Sequence, residues 1–196
     1  MTVQAATKPD ANPPGDSGVW FFIMADMCAF AVFFLVFMAG RAANPALYET
    51  SRAMLDLHFG LANTLILLTS GAFMAQATRE AQRGRWVRAR RYMILTLVTG
   101  LPFGVSKAME WRAKLSHGIG LTTNEFFTYY FVFTGIHFLH FAIGLIVLLV
   151  LIAMAGKTDR PEPVRLRWIE AGGAYWHMVD LLWIVLFAML YLLRAA

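Results

Sequence analysis

The sequence predicts an all-α integral membrane bundle of five transmembrane helices. Three observations lead there: its composition, the spacing of its apolar runs and the uneven placement of its basic residues. Of 196 residues, 59% are apolar or aromatic and 15% are charged, where a soluble domain carries about 45–50% and about 25%. That composition excludes a soluble enzyme. At about 20 residues per bilayer crossing, five spans use about 100 residues and leave a similar number for loops and a tail. The single cysteine, Cys28, excludes an internal disulfide, a cysteine-rich zinc site and a thiolate-held iron–sulfur cluster, each of which needs more than one sulfur from a chain.

Taken in order, residues 1–17 are rich in Ala, Pro, Asp and Thr, lack an apolar run and read as a disordered cytoplasmic tail, with no signal peptide ahead of the first span. Residues 18–196 form the membrane domain. Apolar runs of bilayer length are expected at 18–39, 59–77, 92–111, 126–155 and 172–193. In the second, Asn63, Thr64, Thr69 and Ser70 with Gly71 have the small and polar character of helix-packing positions. In the third, Gly100 and Gly104 flank Pro102, which marks a close approach with a kink. Trp20, Trp86, Trp111, Trp168, Trp176 and Trp183, with tyrosines at 92, 129, 130 and 191, are expected mostly near span ends as an interfacial belt.

The basic residues set the orientation. Between the second and third spans lie Arg79, Arg83, Arg85, Arg88, Arg90 and Arg91, and between the fourth and fifth lie Lys157, Arg160, Arg165 and Arg167. With Lys8 these put eleven of the 17 Lys and Arg on one side, against Arg41, Arg52, Lys107, Arg112, Lys114 and Arg194 on the other. The positive-inside rule then makes the N-terminus cytoplasmic and the C-terminus periplasmic. Arginines confined to tight connections do not form a nucleic-acid surface, so no nucleic-acid partner is expected. Arg79, Arg83, Arg85 and Arg88 are expected to face anionic lipid headgroups, each charge worth on the order of 1 kcal/mol.

An ionisable side chain inside a span costs at least about 2.5–3.5 kcal/mol at the helix centre, so each is a functional candidate. Those residues are Asp26, Lys107, Glu110, His137, His140, His177 and Asp180. Asp26 lies about 12 Å into the first span at 1.5 Å per residue, too deep for a short carboxylate to reach the surface. It is therefore paired, hydrogen-bonded or protonated, either as a structural contact or as a proton-linked group. His137 and His140 share one helix face, as do His177 and Asp180. Histidines on one face cannot straddle a haem, and no convergent set of three or four ligands is evident, so no metal or haem site is expected. Inter-helix hydrogen bonds such as Asp180 or Glu110 to an imidazole are the plainer expectation.

The run from Glu170 through Tyr175, Trp176, His177, Met178, Val179 and Asp180 to Trp183 resembles the C-terminal signature of subunit III of the haem-copper respiratory oxidases. Thr134-Gly135-Ile136-His137-Phe138-Leu139-His140 followed by Gly144 is similar to that family's Thr-Gly-x-His-x-x-His helix. Glu110-Trp111 resembles its Glu-aromatic pair, Asn63-Thr64 through Ser70-Gly71 its Asn-Thr helix, and Asp26 falls where it has a membrane-buried carboxylate. The resemblance runs from about Trp20 to Leu193. Larger members have seven helices, and the first span here resembles their third. Asp26 stands where mitochondrial-type members carry Glu, and Phe138 where a glycine is expected. The form resembles five-helix subunits of bacterial quinol oxidases and the NorE-type accessory proteins of nitric oxide reductases.

The resemblance implies a subunit without its own catalytic centre, haem or copper, in the bacterial inner membrane. It would dock on a catalytic subunit holding haem, with copper or non-haem iron, and support that subunit's stability, assembly and proton uptake. In that reading Asp26 is a buried protonatable or lipid-contacting carboxylate. Glu110, His137, His140, His177 and Asp180 form the polar interior of the bundle, and bound phospholipid accompanies the arginines. The alternative from another class is a small proton-coupled transporter using the intramembrane carboxylates. Against it stand the absence of a visible inverted repeat and an odd number of spans.

Overall fold

The computed structural model describes residues 17–156 and 161–193. The described residues form six α-helices: α1 Ser17–Ala43, α2 Pro45–Ala53, α3 Leu57–Gln82, α4 Trp86–Ser116, α5 Glu125–Ala155 and α6 Glu162–Phe187, the last continued by a π-helical turn Ala188–Leu192. Five of these, α1, α3, α4, α5 and α6 with its π turn, are long and apolar enough to cross a membrane. The expected tail at 1–17, apart from Ser17 opening α1, lies outside the described residues, as do Lys8, Lys157, Arg160 and Arg194.

Each membrane helix is longer than its apolar run. α3 and α4 continue past the hydrocarbon-length stretch into the arginines, because a helix satisfies its own backbone whether lipid or water surrounds it. The connection between them is a three-residue turn, Arg83 to Arg85. Gly84 takes a positive φ of 71°, Gly84 N–H donates to the Ala81 carbonyl and Arg85 N–H to that of Glu80, which closes α3 in a Schellman motif. α4 ends the same way at Gly118, φ 74°. At the other helix starts, Asp56 accepts from His58 N–H at 2.8 Å to cap α3, and Asn124 accepts from Phe127 N–H at 2.9 Å to cap α5. The short α2 opens on Pro45, a favoured first position.

α6 occupies the centre of the bundle, packed against α3, α5 and α1, while α3 and α4 form a tight antiparallel hairpin. Most of α6 is buried and little of α1 is, so α1 lies on the periphery with Phe21, Met24 and Leu35 exposed. The aromatic belt is corrected at its centre. Trp176 and Trp183 are fully buried because they lie on α6, which fills the middle of the bundle, and Tyr130 of α5 and Tyr191 of the π turn are buried against it. Trp176 fits between two helices that yield space for it: a Cβ on Gly100 of α4 or on Gly144 of α5 would stand 3.1 Å from its ring. Trp183 donates from Nε1 to Thr64 Oγ1 of α3 at 3.1 Å. Ser70 donates to the Thr96 carbonyl at 2.8 Å, tying α3 to α4. Pro102 lies inside the unbroken α4.

Because successive spans alternate direction, the end of α3 and the starts of α4 and α6 meet at one end of the bundle. There Arg79, Arg83, Arg85, Arg88, Arg90, Arg91, Arg165 and Arg167 gather. At this arginine-rich end Arg165 stacks over Trp86, 4.2 Å from the ring centroid. α2 covers part of the opposite end.

Candidate functional site

The intramembrane polar residues do not form one interior. They fall into three groups: one joins α1 to α5, one joins α4, α5 and the π turn, and one lies on α6 alone. The first joins α1 to α5. Asp26 Oδ1 lies 3.2 Å from His140 Nε2, with both side chains largely buried. His140 Nδ1 is 2.8 Å from the Ile136 carbonyl, and a carbonyl only accepts, so Nδ1 carries a hydrogen. In a neutral ring Nε2 is then bare, and its contact with a carboxylate oxygen requires one further proton, on Asp26 or on His140. The pair therefore holds a proton. Tyr175 of α6 donates to the His140 carbonyl at 3.0 Å, and Phe30 of α1 lies edge-on to the imidazole.

The second group lies at the heart of the bundle. Lys107, fully buried, donates to Glu110 Oε2 at 2.9 Å, to the Tyr191 hydroxyl at 3.0 Å and to that of Tyr130 at 3.3 Å. Tyr130 and Tyr191 donate in turn to Glu110 Oε1 at 2.7 and 2.6 Å. All three ammonium donors and both carboxylate oxygens are used, and the ammonium also lies 4.9 Å from the Trp183 ring centroid. Tyr191 reaches this site from the π turn, whose extra residue rotates the end of α6 inward. Arg52 of α2 donates to the Tyr191 carbonyl at 3.2 Å and pairs with Glu49.

The Glu110 partner is thus the Lys107 ammonium rather than an imidazole. The reason is spacing: residues 107 and 110 sit one turn apart on the same face of α4. Lys107 also leaves the count of loop charges opposite the arginines, which now stands at five.

In the third group His177 Nδ1 lies 3.8 Å from Asp180 Oδ2, but the His177 side chain is 45% exposed, so it faces outward rather than into the bundle. His137 stands apart from all three. Its Nε2 donates to the Val179 carbonyl at 3.0 Å, and its ring packs between Phe103 and Trp183. The three intramembrane histidines therefore point to separate partners. Among the described residues no three His, Cys, Asp or Glu side chains converge as a metal site would require.

At the arginine-rich end Glu80, buried at the last turns of α3, accepts from Arg85 at 2.8 Å and Arg83 at 3.3 Å, with Arg88 at 4.0 Å. Arg79 has no part in that set of contacts. Glu80 is a site residue that the sequence reading missed; its spacing of three and five residues from the arginines was the available signal.

The family described as Cytochrome c oxidase subunit III matches residues 14–194. The chain belongs to that family. Among its relatives is the "Probable cytochrome c oxidase subunit 3" of Mycobacterium bovis, 28% identical over 177 residues, covering 90% of this chain and 87% of the relative. The "Cytochrome c oxidase subunit 3" of Synechocystis is 28% identical over 176 residues, 90% of this chain and 74% of its own. The "Cytochrome bo(3) ubiquinol oxidase subunit 3" of Buchnera aphidicola is 27% identical over 175 residues, 89% and 92% respectively. Subunit III of cytochrome and quinol oxidases thus shares nearly the whole length of this multi-pass membrane chain. The family match covers all three polar groups, from Asp26 in α1 to Tyr191 in the π turn.

Proposed function

We propose that this chain is the metal-free subunit III of a haem-copper oxidase complex in the bacterial inner membrane, docked on a catalytic subunit that holds the haem and copper. The observation that carries the reading is the family match over residues 14–194. The named relatives favour an oxidase over a nitric oxide reductase, whose catalytic subunit would hold non-haem iron. In this assignment the arginine-rich end is cytoplasmic and the π turn is near the periplasmic face, following the positive-inside rule.

The contribution to the complex is stability, assembly and proton uptake. The Asp26–His140 pair supports the last of these, because its geometry holds one exchangeable proton inside the membrane. The Lys107 network supports the first, since it ties α4, α5 and the end of α6 together. Arg79, Arg83, Arg85 and Arg88 bind anionic phospholipid headgroups, with Glu80 fixing the positions of the last three.

The test is purification of an affinity-tagged chain from native membranes in mild detergent, with the visible spectrum recorded. Co-elution of a haem-bearing subunit with oxidase activity is the expected result. Elution as a homo-oligomer without haem absorbance would overturn the assignment and revive the transporter. A bis-imidazole spectrum in the isolated chain would contradict the metal-free reading.

A further inference from the structure

The outer face of the α3–α4 hairpin carries an open groove of about 510 Å³, lined by Phe59 and Ile66 of α3 and by Val98, Pro102, Val105 and Met109 of α4. From Val98 to Met109 it runs about 16 Å along α4 at 1.5 Å per residue, and most of its lining is exposed. Pro102 stands in its middle, inside the helix. A proline has no N–H, so the carbonyl four residues earlier, that of Val98, lacks the donor an uninterrupted ladder would give it. Helical carbonyls point along the axis toward the next turn, and Val98 and Pro102 both line the groove, so this acceptor opens onto it. It lies between about 9 and 15 Å into the apolar run that begins at Tyr92. Hydrocarbon at that depth supplies no donor, and an unmet backbone acceptor there is costly.

The occupant has to bring a donor and cover a strip about three turns long. A diacyl lipid covers the strip, yet its ester carbonyls accept and do not donate. A second copy of the chain crosses the membrane in the same direction, so a twofold contact sets residues of equal depth against each other. That brings the Val98 carbonyl against an acceptor like itself. The outer hydroxyls level with it, placed by the bond from Ser70 to the Thr96 carbonyl, are already committed. Thr69 donates to the Leu65 carbonyl at 2.8 Å and Thr99 to that of Leu95 at 2.7 Å. Ser106 also lines the groove, but it stands eight residues beyond Val98, about 12 Å further along the axis and out of reach in such a contact. A helix of a different subunit meets both demands. Its ridge of side chains fills the groove, and a hydroxyl, amide or indole on that ridge supplies the proton.

We propose that this groove is the face on which the chain docks on its catalytic subunit, receiving a membrane-spanning helix whose side chain donates a hydrogen bond to the Val98 carbonyl. The inference rests on the subunit reading and adds to it the surface and the chemistry of the contact. The test uses the affinity-tagged chain in its assembled complex, with the photoreactive residue p-benzoylphenylalanine placed either at Leu101 in the groove or at Leu35 on the exposed face of α1. Irradiation of native membranes should join the chain to the haem-bearing subunit from position 101 and not from position 35. Pro102→Ala returns an N–H to the ladder and should weaken retention of the haem-bearing subunit in detergent about threefold, the scale of one hydrogen bond between membrane helices. Val105→Trp blocks the groove and should weaken retention at least tenfold. Both side chains are on the outside of the bundle, so the fold is kept, which circular dichroism verifies. Cross-links from position 101 that reach only lipid or a second copy, or full retention in Val105→Trp, overturn the surface while the haem-bearing subunit still co-elutes. Full retention in Pro102→Ala overturns the hydrogen bond. If the unsubstituted chain brings down no haem-bearing subunit, the subunit reading itself falls, and this inference with it.

Discussion

Replacing Lys107 by Met removes an ammonium that makes three hydrogen bonds within a fully buried network. Methionine is close in length and shape, so packing changes little, and what remains is a Glu110 carboxylate held only by the Tyr130 and Tyr191 hydroxyls. One charge-assisted bond of about 1.5–3 kcal/mol and two weaker ones of about 1 kcal/mol each amount to about 3.5–5 kcal/mol. That agrees with the cost of about 3–5 kcal/mol for breaking a buried ion pair by removing one partner. Glu110→Met should cost a similar amount, because it strands the ammonium. The double variant removes both charges and should be more stable than either single, with a coupling of at least about 2 kcal/mol. Reversible unfolding of the full chain in mixed micelles, driven by added sodium dodecyl sulfate, gives the free energies. Single variants that cost under about 1 kcal/mol, or a double variant whose cost equals the sum of the singles, would refute the account of Lys107 as a buried, ionised hub.

Three further outcomes are expected. Gly71→Ala would drive a methyl group into the Asp180 carboxylate and should destabilise the chain by about 1–3 kcal/mol in the same unfolding assay; a neutral substitution would mean that α3 and α6 can part there freely. Tyr48 of α2 is buried beside Glu125, and burial first, then that carboxylate, raises its phenol above the ordinary range. The phenol therefore stays neutral in the folded chain while the unfolded chain ionises, so stability is intact below about pH 10 and falls above it. Tyr48→Phe should flatten that fall by up to about 1.4 kcal/mol per pH unit, and an unchanged slope would count against it. Asp26→Asn replaces the carboxyl that shares a proton with His140 and should change the pH profile of turnover in the assembled complex; an unaltered profile, with unaltered inactivation during turnover, would remove the proton-linked role.

The number of spans was legible because length and apolarity alone decide whether a segment can cross a bilayer. Their ends were not, since Arg79 to Arg91 are helical almost throughout and only Arg83 to Arg85 form the turn. The nine-residue α2 left little trace, being short and only weakly apolar. Trp176 and Trp183 have the composition of an interfacial belt, and only the central place of α6 makes them core. Glu110 and Lys107 were both visible as intramembrane charges, and their spacing was enough to pair them. Tyr191 was beyond reach, because it joins them through a π turn that breaks the helical periodicity on which sequence reading depends. His140 and Asp26, on helices far apart in the chain, could be nominated singly and matched only in three dimensions.

The central position of α6 has a bearing on the order in which the chain is made. The four other spans are synthesised before it, so they enter the membrane before the helix that fills the space among them. The α3–α4 hairpin can close at once through Ser70 and Thr96, and Lys107 can pair with Glu110 inside α4 alone. Thr64, however, waits for Trp183, His137 for the Val179 carbonyl, and Glu110 for the Tyr191 hydroxyl. A chain interrupted before α6 would thus leave Thr64, His137 and Glu110 inside the membrane without these partners, each an unmet polar group that the last helix alone can satisfy.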